Sequence, residues 1–248
     1  MRSEYFHDAF GGEATEGDIA NKVLLISDPM QIPSLAATSD VIESEFEHYE
    51  FVGRTCRWGN QRISICSTGL GGGSASIAVD NLASLGGSSF LYMHAQPEAS
   101  SIAVKSYVQV ALGAARLDGA SLDYVPIEFP AAADPLMVMA LCQSVRDHNL
   151  GPQRSIFLAS SRKSAHEETA TPGSITYHQR LTEEPFSSLV LAQPEVATIL
   201  TLATLYRLRA GAMQATLPLQ ATSGLIEVGL IDIAIDAYDY LSQWIEAT

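Results

Sequence analysis

Short apolar runs alternate along this chain with longer amphipathic stretches, and glycine or proline marks most of the boundaries. "KVLLISD" (22–28) has the pattern of a buried strand and is ended by Pro29. "RISICST" (62–68) predicts a second strand. It runs through Gly69, Gly71, Gly72 and Gly73 into "SASIAVDNLASLG" (74–86), an amphipathic helix stopped at Gly86. Strands are expected at 88–93 and 105–115, a helix over 135–151 that ends on Gly151, and a strand at 154–160. Residues 161–188 are polar and mixed, the signature of a loop with a little helix. "PEVATILTLATLYRLRAG" (194–211) predicts a helix with a glycine stop, 212–220 a late strand, and 230–247 a closing helix. Residues 1–20 are polar and glycine-containing and read as an N-terminal arm. Strands alternating with helices imply an α/β protein whose sheet carries helices on its faces.

Composition narrows the class. A chain of 248 residues fits one large domain, and 47% hydrophobic against 17% charged content suits a compact fold. The formal net charge of −14, from 28 acidic and 14 basic residues, argues against nucleic acid as a partner. It also obliges an anionic substrate to find a local compensating site. Cys56, Cys66 and Cys142 show no paired or metal-type spacing, and Cys66 reads as a small buried hydrophobe in its strand. No signal-like apolar segment precedes the first strand and no apolar run reaches about 18 residues, so a cytoplasmic protein without a membrane partner is expected.

The glycine-rich turn between a strand and a helix raises the question of phosphate, because bare N–H groups and a helix N-terminus favour anions. The run from Gly69 reads G-L-G-G-G-S, which lacks the third glycine of the dinucleotide fingerprint, and no P-loop lysine follows. The histidines have no metal-ligand spacing, and Ser67 and Ser74 do not sit in a G-x-S-x-G elbow. No cofactor or metal is called for.

Longer stretches are more specific. "LLISDP" (24–29), "HYEF" (48–51), "CSTGLGGGSASIAVDNLASLG" (66–86), "ARLDGASLDYVPIEFPAAAD" (115–134) and "PEVATILTLA" (194–203) together resemble uridine phosphorylases of the nucleoside phosphorylase family. The resemblance covers most of 5–151 and resumes at about 186–217. It implies a single-domain, three-layer α/β fold, a central mixed twisted sheet flanked by helices, spanning 1–248. It also implies a site in three parts, with dimers or hexamers whose subunits share sites.

In the phosphate part, the family's G-D-P-G-R falls on Ser27-Asp28-Pro29-Met30-Gln31, so an arginine is replaced by Gln31. The arginine of the family's H-R-E-F falls on Tyr49, and a third arginine falls on Tyr92, with a phosphate-binding threonine on Ala95. Thr68, Gly69 and Leu70 line the glycine turn. In the ribose part, the resemblance assigns hydroxyl contacts to Glu195 and to His7, the latter lent by a partner subunit. In the base part, Ser164, Glu168 and Ala170 stand near the positions of the family's base readers, and Leu219-Gln220-Ala221 replaces its N-R-T element. Leu191 adds apolar lining.

These substitutions remove positive charge and add apolar surface. A phosphate dianion is best held by arginine forks, and each lost charge-assisted bond forfeits roughly 1.5–3 kcal/mol. The sequence therefore points to a phosphorylase-like enzyme that has lost phosphate binding. Its expected chemistry is cyclisation, isomerisation or elimination on a small neutral or cationic metabolite in specialised metabolism. A buried carboxylate without an arginine neighbour has a raised pKa suited to acid/base work, and the candidate proton-transfer groups are Asp28, His94, Tyr92, Glu195 and His7. Two alternatives stand beside this: a nucleoside phosphorylase or nucleosidase that cleaves a glycosidic bond, and a non-catalytic ligand-binding homologue.

Overall fold

A computed structural model of the chain describes residues 10–12, 14–97, 107–160, 190–217 and 223–246. Among them one mixed sheet runs in the order β2-β3-β4-β1-β5-β10-β6-β8-β9, with β7 paired to β6 off this path. The strands are β1 (Lys22–Ile26), β2 (Val41–His48), β3 (Phe51–Trp58), β4 (Gln61–Ser67), β5 (Ser89–Pro97), β6 (Tyr107–Leu117), β7 (Ala131–Ala132), β8 (Pro152–Ser160), β9 (Val190–Ala192) and β10 (Arg209–Leu217). The helices are α1 (Ile32–Ala36), α2 (Gly72–Ser84), α3 (Pro135–Asp147), α4 (Glu195–Tyr206) and α5 (Ser223–Glu246). α2 packs with α4, while α3 and α1 pack with α5, so helices cover the sheet in two layers. None of these helices is long and apolar enough to cross a membrane.

The central strands are covered on both faces, which explains their unbroken apolar runs. Val23, Leu24, Leu25 and Ile26 of β1 are buried, as are Ile63, Ile65 and Cys66 of β4 and Phe90, Leu91 and Tyr92 of β5. β1 lies parallel between β4 and β5, with Leu25 opposite both Cys66 and Tyr92. The ends of these strands therefore sit side by side, and Thr68 N–H donates to Ile26 O at 2.8 Å across the gap. A parallel sheet offers its ligand crevice at such strand ends.

Several boundaries differ from the sequence expectation, each for a physical reason. The edge meander β2–β3 carries no clean apolar alternation: Glu43, Glu45 and Glu47 alternate along β2 and pair with Arg57, Arg62 and Arg54. A charged edge strand resists pairing with other chains, and its signal is ionic rather than hydrophobic. α4 ends at Tyr206 instead of running to Gly211, because Arg207 takes a left-handed cap (φ 59°) and β10 begins at Arg209. Gly211 is thus a strand residue, where a Cβ would collide with Met137. β5 runs to Pro97, so His94 lies on a strand and not on a loop. The polar opening segment also contributes to the core: Phe10 is buried with its ring 4.5 Å from that of Phe46 and 5.8 Å from that of Phe51.

Candidate active site

Three chain segments converge at the ends of β1, β4 and β5. The first is the glycine turn. Gly69 (φ 68°) and Gly71 (φ 97°) take left-handed backbone that a side chain would strain, and Gly71 is the N-cap of α2 without a side-chain cap. The turn's N–H at Gly71 is met from outside α2, by Glu195 Oε1 at 2.6 Å. Glu195 opens α4 behind Pro194 and is fully buried. Burial pushes its carboxyl above the usual carboxylate range, opposed by the Gly71 N–H and by the Ser27 hydroxyl that faces it. Its second oxygen, Oε2, has no bonding partner among the described residues. A buried carboxylate oxygen left open in a crevice is an acceptor awaiting a donor.

The second segment follows β1. Ser27 Oγ lies 2.6 Å from Tyr92 Oη, so a hydroxyl pair connects the end of β1 to β5 and to the Glu195 carboxyl. Asp28 accepts from Met30 N–H at 2.9 Å and from Gln31 Nε2 at 3.3 Å, capping the short turn that leads to α1. It is exposed, so the burial expected of both acids is met by Glu195 and not by Asp28. Gln31 is half-buried, and its Oε1 is without a partner among the described residues.

The third segment is β5 with the chain entering α4. Gln193 Nε2 and His94 Nε2 are 3.1 Å apart. An amide nitrogen only donates, so His94 accepts through Nε2 and carries its proton on Nδ1. Burial pushes His94 below its ordinary pKa, which keeps the ring neutral near pH 7.

The rim is different in character. Met30, Tyr49 and Leu70 are 81%, 86% and 82% exposed. Tyr49 sits at the β2–β3 turn with a left-handed φ of 53° and its ring against His48. Its neighbour Glu50 reaches the glycine turn and accepts from Ser74 Oγ at 2.9 Å. The structure thus ties Glu195 to the glycine turn and, through Ser27, to Tyr92, sets Thr68 and Gly69 just past β4, pairs Gln31 with Asp28 and His94 with Gln193, and leaves Tyr49 and Leu70 facing outward. His7, Glu168 and Leu219 lie outside the described residues, and only the backbone of Leu191, in β9, is described.

Ser27 and Gln193 were not among the expected site residues. Ser27 had a signal, a hydroxyl where the family motif has glycine; Gln193 had none, because its partner is 99 residues away in sequence.

Comparison with known proteins bears on what this crevice does. No protein-family model matches the chain. A uridine phosphorylase of Thermococcus kodakarensis is 30% identical over 243 residues, 93% of this chain and 85% of its own length. This chain belongs to the nucleoside phosphorylase family. The uridine phosphorylase of Escherichia coli is 30% identical over 217 residues, covering 82% of this chain and 83% of its own. A guanosine phosphorylase of Halorubrum lacusprofundi is 28% identical over 134 residues, about half of each chain. The expectation of a cyclase, isomerase or lyase of specialised metabolism is corrected by these relatives, which are named as phosphorylases. A few positions within the quoted motifs were too narrow a basis for a change of reaction against similarity over most of the chain. The relatives are enzymes, and the chain is grouped with them on similarity over most of its length.

Proposed function

We propose that this protein is a nucleoside phosphorylase with uridine as the first substrate to test. In that reaction a phosphate oxygen bonds to C1′, the C1′–N bond breaks, and the base leaves with the bonding electrons and a proton. Pentose 1-phosphate and free base result. The observation that carries the reading is similarity to uridine phosphorylases over 82–93% of the chain.

The site supports it in its ribose part. The open Oε2 of Glu195 suits a sugar hydroxyl donor, while Oε1 is fixed on the glycine turn. In the phosphate part we read Gln31, Tyr49 and Tyr92 as replacements for arginines. Phosphate then relies on neutral donors such as the Tyr92–Ser27 hydroxyls, the Gln31 amide and backbone N–H groups. Neutral bonds contribute about 1 kcal/mol each against roughly 1.5–3 for charged ones, so weak phosphate affinity and a high KM for phosphate follow. Arg54, Arg57 and Arg62 do not substitute, being engaged with Glu43, Glu45 and Glu47. The exposed Met30, Tyr49 and Leu70 suit burial against a second copy of the chain, in a homodimer or hexamer of cytoplasmic, single-domain subunits.

Uridine and guanosine incubated with increasing phosphate decide the matter by release of free base and pentose 1-phosphate. The reading requires release that rises with phosphate. Release independent of phosphate would make the enzyme a hydrolase, and no release from any nucleoside would overturn the reading.

A further inference from the structure

Directly behind the glycine turn lies a chain of buried polar groups. Asp118, just past β6, accepts from Ser121 N–H at 2.9 Å and Ser121 Oγ at 2.8 Å. Its Oδ2 also accepts from Thr198 Oγ1 at 2.5 Å. Arg116 closes the far end, donating from Nε to Ser121 Oγ and from its terminal nitrogens to the carbonyls of Ser121, Val125, Pro126 and Phe129, all at 2.6–3.0 Å. Arg116, Asp118, Ser121 and Thr198 are all buried.

Its position decides what it does. Thr198 stands on α4 one turn after Glu195, so the two side chains share a helix face. Gly72, the first residue of α2, is pressed against the Asp118–Thr198 bond. A Cβ there would lie 2.5 Å from Thr198 Oγ1 and 3.0 Å from both Asp118 Oδ2 and Ala120 Cβ. α2 and α4 thus meet through this bond, within a residue of the Gly71 N–H that Glu195 accepts. Apolar packing of equal volume would stabilise the fold as well, since burying charged groups is costly; what the polar chain adds is direction.

We infer that Asp118 and Thr198 are positioning residues that hold the Glu195 carboxyl and the glycine turn in register for substrate. The inference rests on the assignment of Glu195 to the nucleoside site, and its test is chosen to separate the two. Thr198→Val keeps the side chain's shape and removes the donor; Thr198→Ser keeps the donor. Two readouts are taken: steady-state kinetics with uridine, and the carboxyl titration of Glu195 by NMR on protein labelled with carbon-13 glutamate, assigned with Glu195→Gln. The groups bonded to this carboxyl are neutral, so its titration follows burial and the Gly71 bond.

In Thr198→Val the turn shifts, the Gly71 bond weakens, and the Glu195 midpoint moves upward. kcat/KM falls about 10- to 100-fold, the scale of an ångström-sized misplacement. Thr198→Ser retains wild-type values in both. If Thr198→Val does not fold, Thr198→Ala, which removes the same donor with a smaller side chain, is measured in the same way and is expected to raise the midpoint. A folded Thr198→Val protein with an unmoved midpoint and wild-type kinetics overturns the inference, whatever its melting temperature. If the wild-type protein cleaves no nucleoside, the functional reading falls and the titration alone decides the positioning role.

Discussion

The crevice has two walls built on opposite terms. On one, Glu195, Gly71, Thr198 and Asp118 are tied by short bonds across α2, α4 and the end of β6, in full burial except for the turn itself. On the other, Asp28, Met30 and Tyr49 are exposed and held by a single cap and one ring contact. The first wall is preset before any ligand arrives. The second is held by few contacts, and Gln31 and Tyr49 stand on it. The difference separates the part of the site that the fold fixes by many bonds from the part held by few.

The contrast breaks most visibly if the buried wall proves soft. Arg116→Met removes the donors to four carbonyls, which leaves buried acceptors unpaired. With ~1–3 kcal/mol per unsatisfied group, a loss of about 4 kcal/mol is expected even after relaxation. Urea unfolding measures it, and a loss below about 1 kcal/mol would mean that water or neighbours replace the guanidinium readily. Glu195→Gln comes next. It keeps the shape but weakens a charge-assisted acceptor, and kcat/KM for uridine should fall by about 10- to 150-fold, the equivalent of ~1.5–3 kcal/mol.

The same carboxyl gives a pH signature. Its folded pKa is raised above 4.5, so the folded state holds the proton more tightly than the unfolded one. Its contribution to stability is complete below pH 4.5 and is lost as pH rises through the folded value. The stability of wild type minus that of Glu195→Gln should therefore decline from pH 4.5 upward and then level off. A flat difference across that window would place the Glu195 carboxyl in a wetter site than the structure shows.

The two walls were also unequally legible in the sequence. β1, β4 and α2 are written in apolar period and glycine, so the strand, turn and helix that frame the crevice could be placed at once. β2 could not, because Glu43, Glu45 and Glu47 stabilise it through arginines on β3 and β4, pairings that a hydrophobic period does not report. Glu195 was found through resemblance, whereas its bond to Gly71 joins residues 124 positions apart in the chain. Ser27, Gln193 and the Asp118–Thr198 pair escaped for the same reason: short polar residues reveal their partners only when the sheet has brought them together. The reaction itself was misread because three positions were weighed above the similarity of the whole chain to phosphorylases.

Tyr92→Phe probes the point where the walls join. It deletes the hydroxyl paired with Ser27 at 2.6 Å in a buried strand, and should cost ~1 kcal/mol of stability. If Tyr92 is a phosphate donor, the KM for phosphate rises about fivefold while the KM for uridine holds, the kinetic counterpart of one neutral bond. Equal changes in both constants would make the hydroxyl a general strut instead of a phosphate contact.

The smallest stability effect belongs to Tyr49, and it separates the walls most cleanly. Its φ of 53° is left-handed, a conformation that costs a non-glycine residue roughly 1–2 kcal/mol. Against this stand the contact with His48, whose ring centroid lies 4.4 Å away, and the chain entropy that a glycine would add to the unfolded state. These terms nearly cancel, so Tyr49→Gly should leave stability within about 0.5 kcal/mol of wild type. A side chain 86% exposed and tolerated in a strained backbone has little reason to be there for its own subunit. If it serves a neighbouring copy, Tyr49→Gly lowers uridine turnover or loosens the oligomer seen by light scattering while the fold is unmoved. A variant that matches wild type in stability, turnover and assembly would leave the exposed wall without a role, and the comparison would reduce to one working wall.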